Sequence, residues 1–519
     1  MLTKEQNEII ELMKSKESDY RVVAVNSVAG AGKTYTAKKI VEALNPKRGL
    51  YTAFNKAIVD DSRSKITSIE VRTIHSLAYK FAENKNVKNL SYMDIIENIT
   101  YSNKNYLIKI LDIFCLSSYV NIDDFLVEFK SQNNDISNSI LLLVKKYYNK
   151  MESNTMPATF NFLLKSLHIK LYNAKINGLN FSINYDLVIL DECQDTTAVT
   201  LSIFSLINAK KKVILGDNYQ NIYSFMNTVN AFDLLNNTIN KRLTQSFRCS
   251  EEIGKIVEQY GKHYLNNDFI FKGSNTISKI IEKEAYLSRS NISLIETMHG
   301  FHKKNIHYSL VRNIDDIFEL PISIYYASLG KNVASKKYKY LNNIYLQYSL
   351  ELETFKFYSY LEEIFKDDAE ILRAIKLLQN LEAEKINIIQ VRNKAIEMSD
   401  NPNIILSTAH TFKGLEADRV YINDDLNKSL MNAIEKRKEF YNKNKKTTPL
   451  PKNITNEFNV YYVALSRAKV ELVNVADFMP ESNPLIITMN KVKELLEEKI
   501  LTNTKKDNHK LYYFKVENN

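Results

Sequence analysis

One short stretch carries residue types that can bind a phosphate group. A β-branched run at 22–25 predicts a buried strand, and the small-residue segment 27–32 follows it. Small residues let backbone N–H groups approach phosphate oxygens, and a helix N-terminus adds partial positive charge. Lys33 is expected to reach the β- and γ-phosphates, and Thr34 is expected to hold Mg²⁺. The expected nucleotide contacts in this loop are Ala29, Gly30, Ala31, Gly32, Lys33, Thr34 and Tyr35.

The loop departs from the G-x-x-x-x-G-K-[ST] pattern at its first position, which is Ser27. A strand–turn–helix connection that binds no ligand is the alternative interpretation. The Gly-Lys-Thr sequence and its position between a predicted strand and a predicted helix favour phosphate binding.

Two adjacent carboxylates follow a second apolar run. Residues 185–190 predict a central strand, and Asp191 and Glu192 come directly after it. Asp191 is expected to bind Mg²⁺, and Glu192 to orient or deprotonate the water that attacks a γ-phosphate. Another predicted strand, 213–215, is followed by Gln220, which is placed to sense that phosphate. Adjacent acids also follow strands by chance, but the phosphate loop upstream favours the hydrolytic interpretation.

Other elements are expected to bring polar groups to the same edge of the sheet. Residues 49–57 and 69–78 predict two more strands that end in polar groups, and ligands bind at the carboxyl edge of open α/β sheets. Thr3 is a plausible cap of a first helix that carries Gln6, whose amide can pair with an adenine edge. Taken alone, Gln6 also fits an ordinary surface glutamine, and His75 fits a structural histidine.

The remaining segments alternate between helical and α/β patterns. Residues 80–184 and 291–401 are mainly helical, whereas α/β character returns at 251–288 and at 404–406. The segment 432–452 predicts a basic, proline-containing loop that contacts a phosphate backbone or serves as a solvated linker. An amphipathic helix is predicted at 485–500, and no nuclease constellation follows.

Composition sets outer limits on the class of protein. The 519 residues exceed what one core supports, so several domains are expected. The net charge of +10 suits a polyanionic partner, although a lysine-rich surface kept for solubility explains it equally well. The three cysteines are far apart and indicate neither a zinc site nor a disulfide framework. Without an apolar signal core or a membrane-length apolar run, a soluble intracellular (cytoplasmic) protein with no membrane partner is expected.

In combination these motifs resemble the ordered motifs of superfamily 1 DNA helicases of the UvrD/Rep type. Gln6, the Gly-Lys-Thr loop, the Asp191 segment and Gln220 are followed by segments similar to three later motifs, at 243–248, 407–416 and 461–469. Three further segments resemble those of the F-box DNA helicase branch: 53–57, 229–231 and 457–459. No stretch before Gln6 is expected to hold an F-box, so the resemblance concerns the motor.

The resemblance implies roles for further residues. Phe247 would stack on adenine, and Glu416 would contact the ribose. Arg248 and Arg467 would reach the γ-phosphate as arginine fingers, which together with Lys33, Asp191, Glu192 and Gln220 completes the expected catalytic set. Single-stranded DNA would meet Phe54, Asn55, Thr73, His75, Tyr223, Phe225 and His410. Stacking on DNA bases is sequence-tolerant, and core packing is the alternative role for Tyr223 and Phe225.

The implied fold is α/β, with two tandem RecA-like domains that each carry a mainly helical insertion. ATP and Mg²⁺ are expected between the two motor domains. The expected boundaries are 1–79 with 185–247 for the first motor domain, 80–184 for its insertion, 248–290 with 402–500 for the second motor domain, 291–401 for its insertion, and 501–519 for a basic tail.

The resemblance implies an ATP-dependent motor that moves 3′-to-5′ on single-stranded or tailed duplex DNA, alone or with a protein partner. One departure concerns the DNA contacts: the Arg-Gly-Ala expected after Phe225 is Met226-Asn227-Thr228 here, so one cation is lost. This leaves open an ATP-gated switch that recruits a partner enzyme and unwinds little. An RNA helicase is disfavoured, because the motifs resemble those of DNA motors.

Overall fold

The structure is a computed structural model, and each structural statement below concerns the residues it describes. Those residues are 2–19, 21–53, 56–83, 85–91, 94–178, 180–223, 228–351, 356–445 and 448–476. The chain divides into two compact units, with the boundary between Gln245 and Ser246.

The first unit is built on a parallel β-sheet. Its strands in chain order are β1 (Val22–Ser27), β2 (Gly49–Ala53), β3 (Glu70–Thr73), β4 (Asn184–Leu190), β5 (Thr196–Thr197), β6 (Asn208–Gly216), β7 (Thr228–Val229) and β8 (Thr238–Leu243). The order across the sheet is β3-β2-β4-β6-β1-β8, and β5 pairs separately with β7. Because the paired strands of the sheet are parallel, the residues that follow β1, β4 and β6 meet at one edge.

Helices cover this sheet and form the segment between β3 and β4. They are α1 (Lys4–Lys14), α2 (Lys33–Leu44), α3 (Lys56–Lys65), α4 (Ile74–Phe81), α5 (Tyr101–Leu116), α6 (Ile122–Gln132), α7 (Asn138–Glu152), α8 (Phe160–Asn177), α9 (Ala198–Leu206) and α10 (Ala231–Leu234). Side chains of Thr100, Asn121, Ser137 and Thr159 cap α5 to α8, which accounts for where these helices begin. Their apolar faces pack around Phe114 in a core continuous with the sheet.

The predicted strand at 69–78 is wrong in its second half. Strand β3 ends at Thr73, whose hydroxyl accepts a hydrogen bond from the backbone N–H of Ser76 and caps α4. Ile74, Leu77 and Ala78 are buried at helical spacing. The residue types suit a strand, but the cap and the 3.6-residue period of the apolar positions decide for a helix.

The second unit also carries a parallel sheet. Its strands are β9 (Gln245–Ser250), which begins at the unit boundary, β10 (Lys272–Ser274), β11 (Glu284–Ser288), β12 (Ser309–Leu310), β13 (Ile404–Thr408), β14 (Ala417–Ile422) and β15 (Ala468–Val473). The order is β12-β13-β11-β14-β15, while β9 pairs with β10. The predicted α/β fold class is therefore confirmed in both units.

The helices of the second unit are α11 (Glu251–Tyr264), α12 (Asn291–Lys303), α13 (Ile314–Ser328), α14 (Tyr340–Glu351), α15 (Phe357–Ile364), α16 (Ala369–Ala383), α17 (Ile388–Glu397), α18 (Asp424–Lys443) and α19 (Lys452–Leu465). The stretch 291–401 is mainly helical as predicted, but it also contributes β12, which pairs in parallel with β13 at the sheet edge.

The basic loop predicted at 432–452 is mostly helix, because α18 continues to Lys443. Ala433 and Ile434 are buried, and the Arg437 guanidinium lies over the rings of Tyr264 and Phe458 at 5.7 Å from each centroid. Packing of this face holds the lysine-rich segment in the helix. The predicted helix at 485–500 and the tail at 501–519 lie outside the described residues. Within the described ranges, no helix is both long enough and apolar enough to cross a membrane.

Candidate nucleotide-binding site

The predicted phosphate loop connects β1 to α2. Gly30 and Gly32 have φ values of 73° and 75°, the left-handed region in which glycine carries no steric cost. Helix α2 begins at Lys33, directly after Gly32, so its N-terminal N–H groups are available at the end of the loop. The loop therefore has the backbone geometry that an anion site at a helix N-terminus requires.

Ser27, the position that departs from the usual glycine, has a defined contact. Its hydroxyl donates a hydrogen bond of 2.8 Å to the backbone oxygen of Gly216, and the side chain is buried. The bond joins the carboxyl ends of β1 and β6. The serine hydroxyl thus links β1, which precedes the phosphate loop, to β6, which precedes the turn that carries Gln220. This contact explains how a serine is accommodated at this position.

Lys33 faces a group of three acids, of which Asp191 and Asp217 are buried. Its ammonium Nζ lies 3.1 Å from Oε1 of Glu192. Burial lowers the pKa of Lys33, but the negative charges of Glu192, Asp191 and Asp217 outweigh it, so that the pKa of Lys33 is raised. The lysine is therefore held in its charged form at neutral pH, as a phosphate ligand must be.

Asp191 is fixed by donors on both of its carboxylate oxygens. The Glu192 backbone N–H donates to Oδ1 at 2.8 Å, and the hydroxyl of Tyr51 donates to Oδ2. Burial, and next the charge of Glu192, raise the pKa of Asp191 to about 6. Each carboxylate oxygen keeps a second lone pair with which to accept a cation.

The charges and donor types fit a divalent cation. Three acids, Asp191, Glu192 and Asp217, act on Lys33, which leaves an excess of negative charge in a buried site. Carboxylate and hydroxyl oxygens are the ligands that Mg²⁺ prefers, and nucleotide-site Mg²⁺ uses one or two carboxylates together with phosphates and water. Among the described residues, no group of three or more His, Cys, Asp or Glu that could hold a metal ion is found.

Backbone strain and an amide bridge position the second acid. Glu192 has a φ of 51°, a left-handed conformation that is uncommon outside glycine and costs energy. The amide Nε2 of Gln194 donates to the Glu192 carboxylate, and its Oε1 accepts from the Asp217 backbone N–H at 3.0 Å. Asp217 in turn accepts a 2.7 Å bond from Nε2 of Gln220. The predicted hydrolytic acid, Glu192, and the predicted phosphate sensor, Gln220, thus belong to one hydrogen-bonded network.

Gln6 lies near the loop, and its amide is engaged on both sides. Its Oε1 accepts from the Thr3 backbone N–H at 3.0 Å, and its Nε2 donates to the Thr36 hydroxyl at 3.0 Å. Thr36 in turn donates to the backbone oxygen of Gly32. The predicted cap at Thr3 is present, and Gln6 ties α1 to the helix that follows the loop.

Tyr35 and Phe247 carry exposed rings. Tyr35, on the first turn of α2, is 45% exposed, and Phe247, on β9, is 47% exposed. The exposed ring of Phe247 is therefore available for stacking on a base, which is the role predicted for it.

In the second unit, Arg248 and Glu416 are brought together. Nε of Arg248 lies 2.8 Å from Oε2 of Glu416, and Nζ of Lys469 lies 3.1 Å from its Oε1. Arg467 is only 1% exposed, and its Nε donates to the backbone oxygen of Val463 at 2.9 Å. The two predicted arginine fingers therefore differ in their contacts. Arg248 pairs with a carboxylate, whereas Arg467 donates to a backbone oxygen near the C-terminus of α19.

The predicted DNA contacts are described only in part. The Thr73 hydroxyl caps α4, and Nε2 of His75 lies 3.2 Å from Oδ1 of Asn161. Burial lowers the pKa of His75. Burial and the charge of Arg289 lower the pKa of His410 to about 4. Both imidazoles are thus neutral at pH 7, and Phe54, Asn55 and Phe225 lie outside the described residues.

Four residues that are not among the predicted site residues belong to the hydrogen-bonded network around Asp191 and Glu192, with Ser62 joined to it through the Tyr51 hydroxyl: Tyr51, Ser62, Gln194 and Asp217. Gln194 lies three residues after Asp191, and Asp217 lies three residues before Gln220, so a motif-based assignment could have included them. The sequence does not indicate a site role for Tyr51 or Ser62, because a tyrosine inside a predicted buried strand is ordinarily interpreted as a core residue.

Comparison with known proteins supports the motif assignment. Residues 6–226 match a family described as AAA domain. The chain is 24% identical over 528 residues to F-box DNA helicase protein 1 of Schizosaccharomyces pombe, a match that covers 91% of this chain and 57% of that protein. It is 25% identical over 514 residues to F-box DNA helicase 1 of Gallus gallus, covering 90% of this chain and 48% of that protein.

The chain thus spans about half the length of the curated relatives it matches. The resemblance to UvrD/Rep-type helicases and to the F-box DNA helicase branch is confirmed by the family match and the two relatives together.

Proposed function

We propose that this chain, a P-loop protein with an AAA domain at residues 6–226 and a sequence relative of the F-box DNA helicases, is a DNA-dependent ATPase that moves on single-stranded DNA. The observation that carries the proposal is the arrangement of Lys33, Glu192 and the buried Asp191 beside a loop with two left-handed glycines. It combines a phosphate ligand, a metal ligand and an acid that can act on water.

The chemistry assigned to each group follows from its charge and contacts. Lys33 would bind the β- and γ-phosphates, with Thr34 and Asp191 as the ligands of Mg²⁺, which when bound neutralises phosphate charge. Glu192, held by Gln194, would orient the attacking water, and Gln220 would sense whether the γ-phosphate is present. The hydrogen bond from Gln220 to Asp217 connects this phosphate sensor to the acids around Lys33.

Further assignments rest on the motifs. We assign Gln6 and Phe247 to adenine, Glu416 to the ribose, and Arg248 and Arg467 to the γ-phosphate. The exposed ring of Phe247 and the contact between Arg248 and Glu416 support these roles. The same reasoning assigns DNA contacts to Thr73, His75, Tyr223 and His410, and divides the chain into two RecA-like motor domains with helical insertions at 80–184 and 291–401.

The proposed motor would unwind duplex DNA or displace bound protein, moving 3′-to-5′ as the resemblance to UvrD/Rep-type helicases implies. A second candidate is a nucleotide-gated switch that recruits a partner enzyme and unwinds little. The observation that favours it is Met226-Asn227-Thr228, which replaces the cationic segment expected after Phe225.

Parallel ATPase and strand-displacement assays separate the two candidates. The substrates are 3′-tailed, 5′-tailed and blunt duplexes of the same sequence, with single-stranded DNA as the activator. The motor predicts DNA-stimulated ATP hydrolysis and displacement on the 3′-tailed duplex. Hydrolysis without displacement on any substrate favours the switch, and no DNA-stimulated hydrolysis at all contradicts both.

A further inference from the structure

The hydroxyl of Tyr51 is directed at Asp191 from the neighbouring strand. Strand β2 pairs in parallel with β4, with Tyr51 opposite Ile189, and the Asp191 backbone N–H donates to the Thr52 oxygen at 2.8 Å. This register sets Asp191 beside the end of β2. The tyrosine hydroxyl donates to Oδ2 of Asp191, and both side chains are buried.

A third residue determines which way the tyrosine proton points. The hydroxyl of Ser62, which is buried on α3, donates to the Tyr51 oxygen at 3.1 Å. A phenol has a single proton, so a Tyr51 that accepts from Ser62 offers its own O–H to Asp191. The chain of donors therefore runs from Ser62 through Tyr51 to Asp191.

Packing alone does not account for a hydroxyl at this position. The Tyr51 ring lies in a buried parallel strand, where a phenylalanine would supply the same apolar contact. The hydroxyl adds a polar group that must be satisfied in the interior, and its acceptor is the carboxylate proposed as metal ligand. With the Glu192 N–H on Oδ1, the Tyr51 contact leaves the carboxylate one orientation.

We infer that Tyr51, oriented by Ser62, is a positioning residue that holds the Asp191 carboxylate in the orientation needed to bind Mg²⁺. The inference rests on the proposed function, because Asp191 is the metal ligand only in that proposal. Partners that hydrogen-bond a metal-binding carboxylate set its orientation, and their removal typically costs about 10- to 100-fold in metal affinity or activity.

The test is the Mg²⁺ dependence of nucleotide binding by the full chain, without turnover. A fluorescent, non-hydrolysable ATP analogue is titrated at a series of free Mg²⁺ concentrations and also in EDTA. For Tyr51→Phe we expect the half-saturating Mg²⁺ concentration to rise about 10-fold or more, with affinity in EDTA changed less than about twofold. Ser62→Ala is expected to shift it in the same direction by a smaller factor.

Tyr185→Phe is the matched control. Tyr185 lies on β4, and its hydroxyl donates a 2.6 Å bond to Glu70, a carboxylate outside the proposed site. Its removal is expected to leave the Mg²⁺ dependence unchanged. Thermal unfolding of each variant reports any general loss of structure separately.

The outcomes distinguish this inference from the proposed function. A wild-type chain that binds the analogue with Mg²⁺, beside a Tyr51→Phe variant with the same Mg²⁺ dependence, overturns the positioning role and leaves the proposed function intact. Equal shifts in Tyr51→Phe and Tyr185→Phe overturn it also. A wild-type chain without Mg²⁺-dependent binding overturns both.

Discussion

Arg248 and Glu416 hold each other through a hydrogen bond of 2.8 Å between Nε and Oε2. Burial raises the pKa of Glu416, but the Arg248 and Lys469 charges outweigh this, so the pKa is lowered and the carboxylate stays ionised. Both members of the pair are proposed nucleotide ligands. A nucleotide that takes the Nε donor of Arg248 would therefore have to displace Glu416 from it.

Arg248→Ala tests the arginine-finger role. Arginines that stabilise charge on a transferred phosphoryl group contribute about 10³- to 10⁵-fold in kcat, so a fall of about 10³-fold or more in DNA-stimulated hydrolysis is expected. ATP affinity should change much less. Arg312→Ala, which removes a surface arginine beside Asp316, is the control in the same steady-state assay. A kcat within twofold of wild type removes Arg248 from the catalytic set.

Lys33→Ala tests the phosphate loop itself. The substitution removes the ammonium that lies 3.1 Å from Glu192 and leaves Asp191, Glu192 and Asp217 with no counter-charge from this lysine. Hydrolysis should fall by at least about 10²- to 10³-fold, the range measured when one stabilising donor is lost. Lys38→Ala, on the same helix and paired only distantly with Glu42, is the control. If DNA-stimulated hydrolysis survives Lys33→Ala, the phosphate-loop assignment is wrong.

Ser27→Ala separates stability from chemistry. It deletes the 2.8 Å bond to the Gly216 oxygen and leaves that buried carbonyl without this donor. The free energy of unfolding should fall by about 0.5–1.5 kcal/mol, measured as a lower urea midpoint. ATP hydrolysis should remain within a few-fold of wild type, because Ser27 contacts a strand end and not the expected phosphate. A large loss of hydrolysis at unchanged stability would contradict this account.

His168 should make stability depend on pH. Burial, and next the charge of Lys165, lower the pKa of His168 to about 4 from the usual 6.5. The unfolded chain therefore takes up this proton first, so the contribution to stability is complete above about pH 6.5 and is lost as pH falls towards 4. The slope is at most about 1.4 kcal/mol per pH unit. His168→Gln should reduce the slope of unfolding free energy against pH, and an unchanged slope would refute the assignment.

Phe225→Ala tests the proposed contact of this residue with single-stranded DNA, a contact that is inferred from the sequence. Loss of one base–aromatic stack costs about 1–3 kcal/mol, so the single-stranded DNA concentration that half-saturates ATPase stimulation should rise at least about fivefold. Hydrolysis without DNA should be unaffected. An unchanged half-saturating DNA concentration would show that Phe225 does not contact the single strand.

The order of motifs along the chain was enough to predict the α/β class, the helicase relationship and the strands that lead to Lys33 and Asp191. These features are local, since a β-branched run followed by small residues and Gly-Lys-Thr forms a strand, a loop and a helix by its own backbone preferences. The same local reasoning failed at 74–78 and at 432–443, where a side-chain cap and the packing of a helix face decided the structure.

The contacts that orient the site depended on tertiary structure. Tyr51 and Asp191 are 140 residues apart and meet because β2 and β4 are neighbours in the sheet, while Ser27 reaches Gly216 across 189 residues because β1 lies beside β6. Sequence spacing carries no record of which strands become neighbours. The sequence by itself therefore determined which groups are proposed to carry the chemistry, and the strand order of the sheet determined which residues hold them in place.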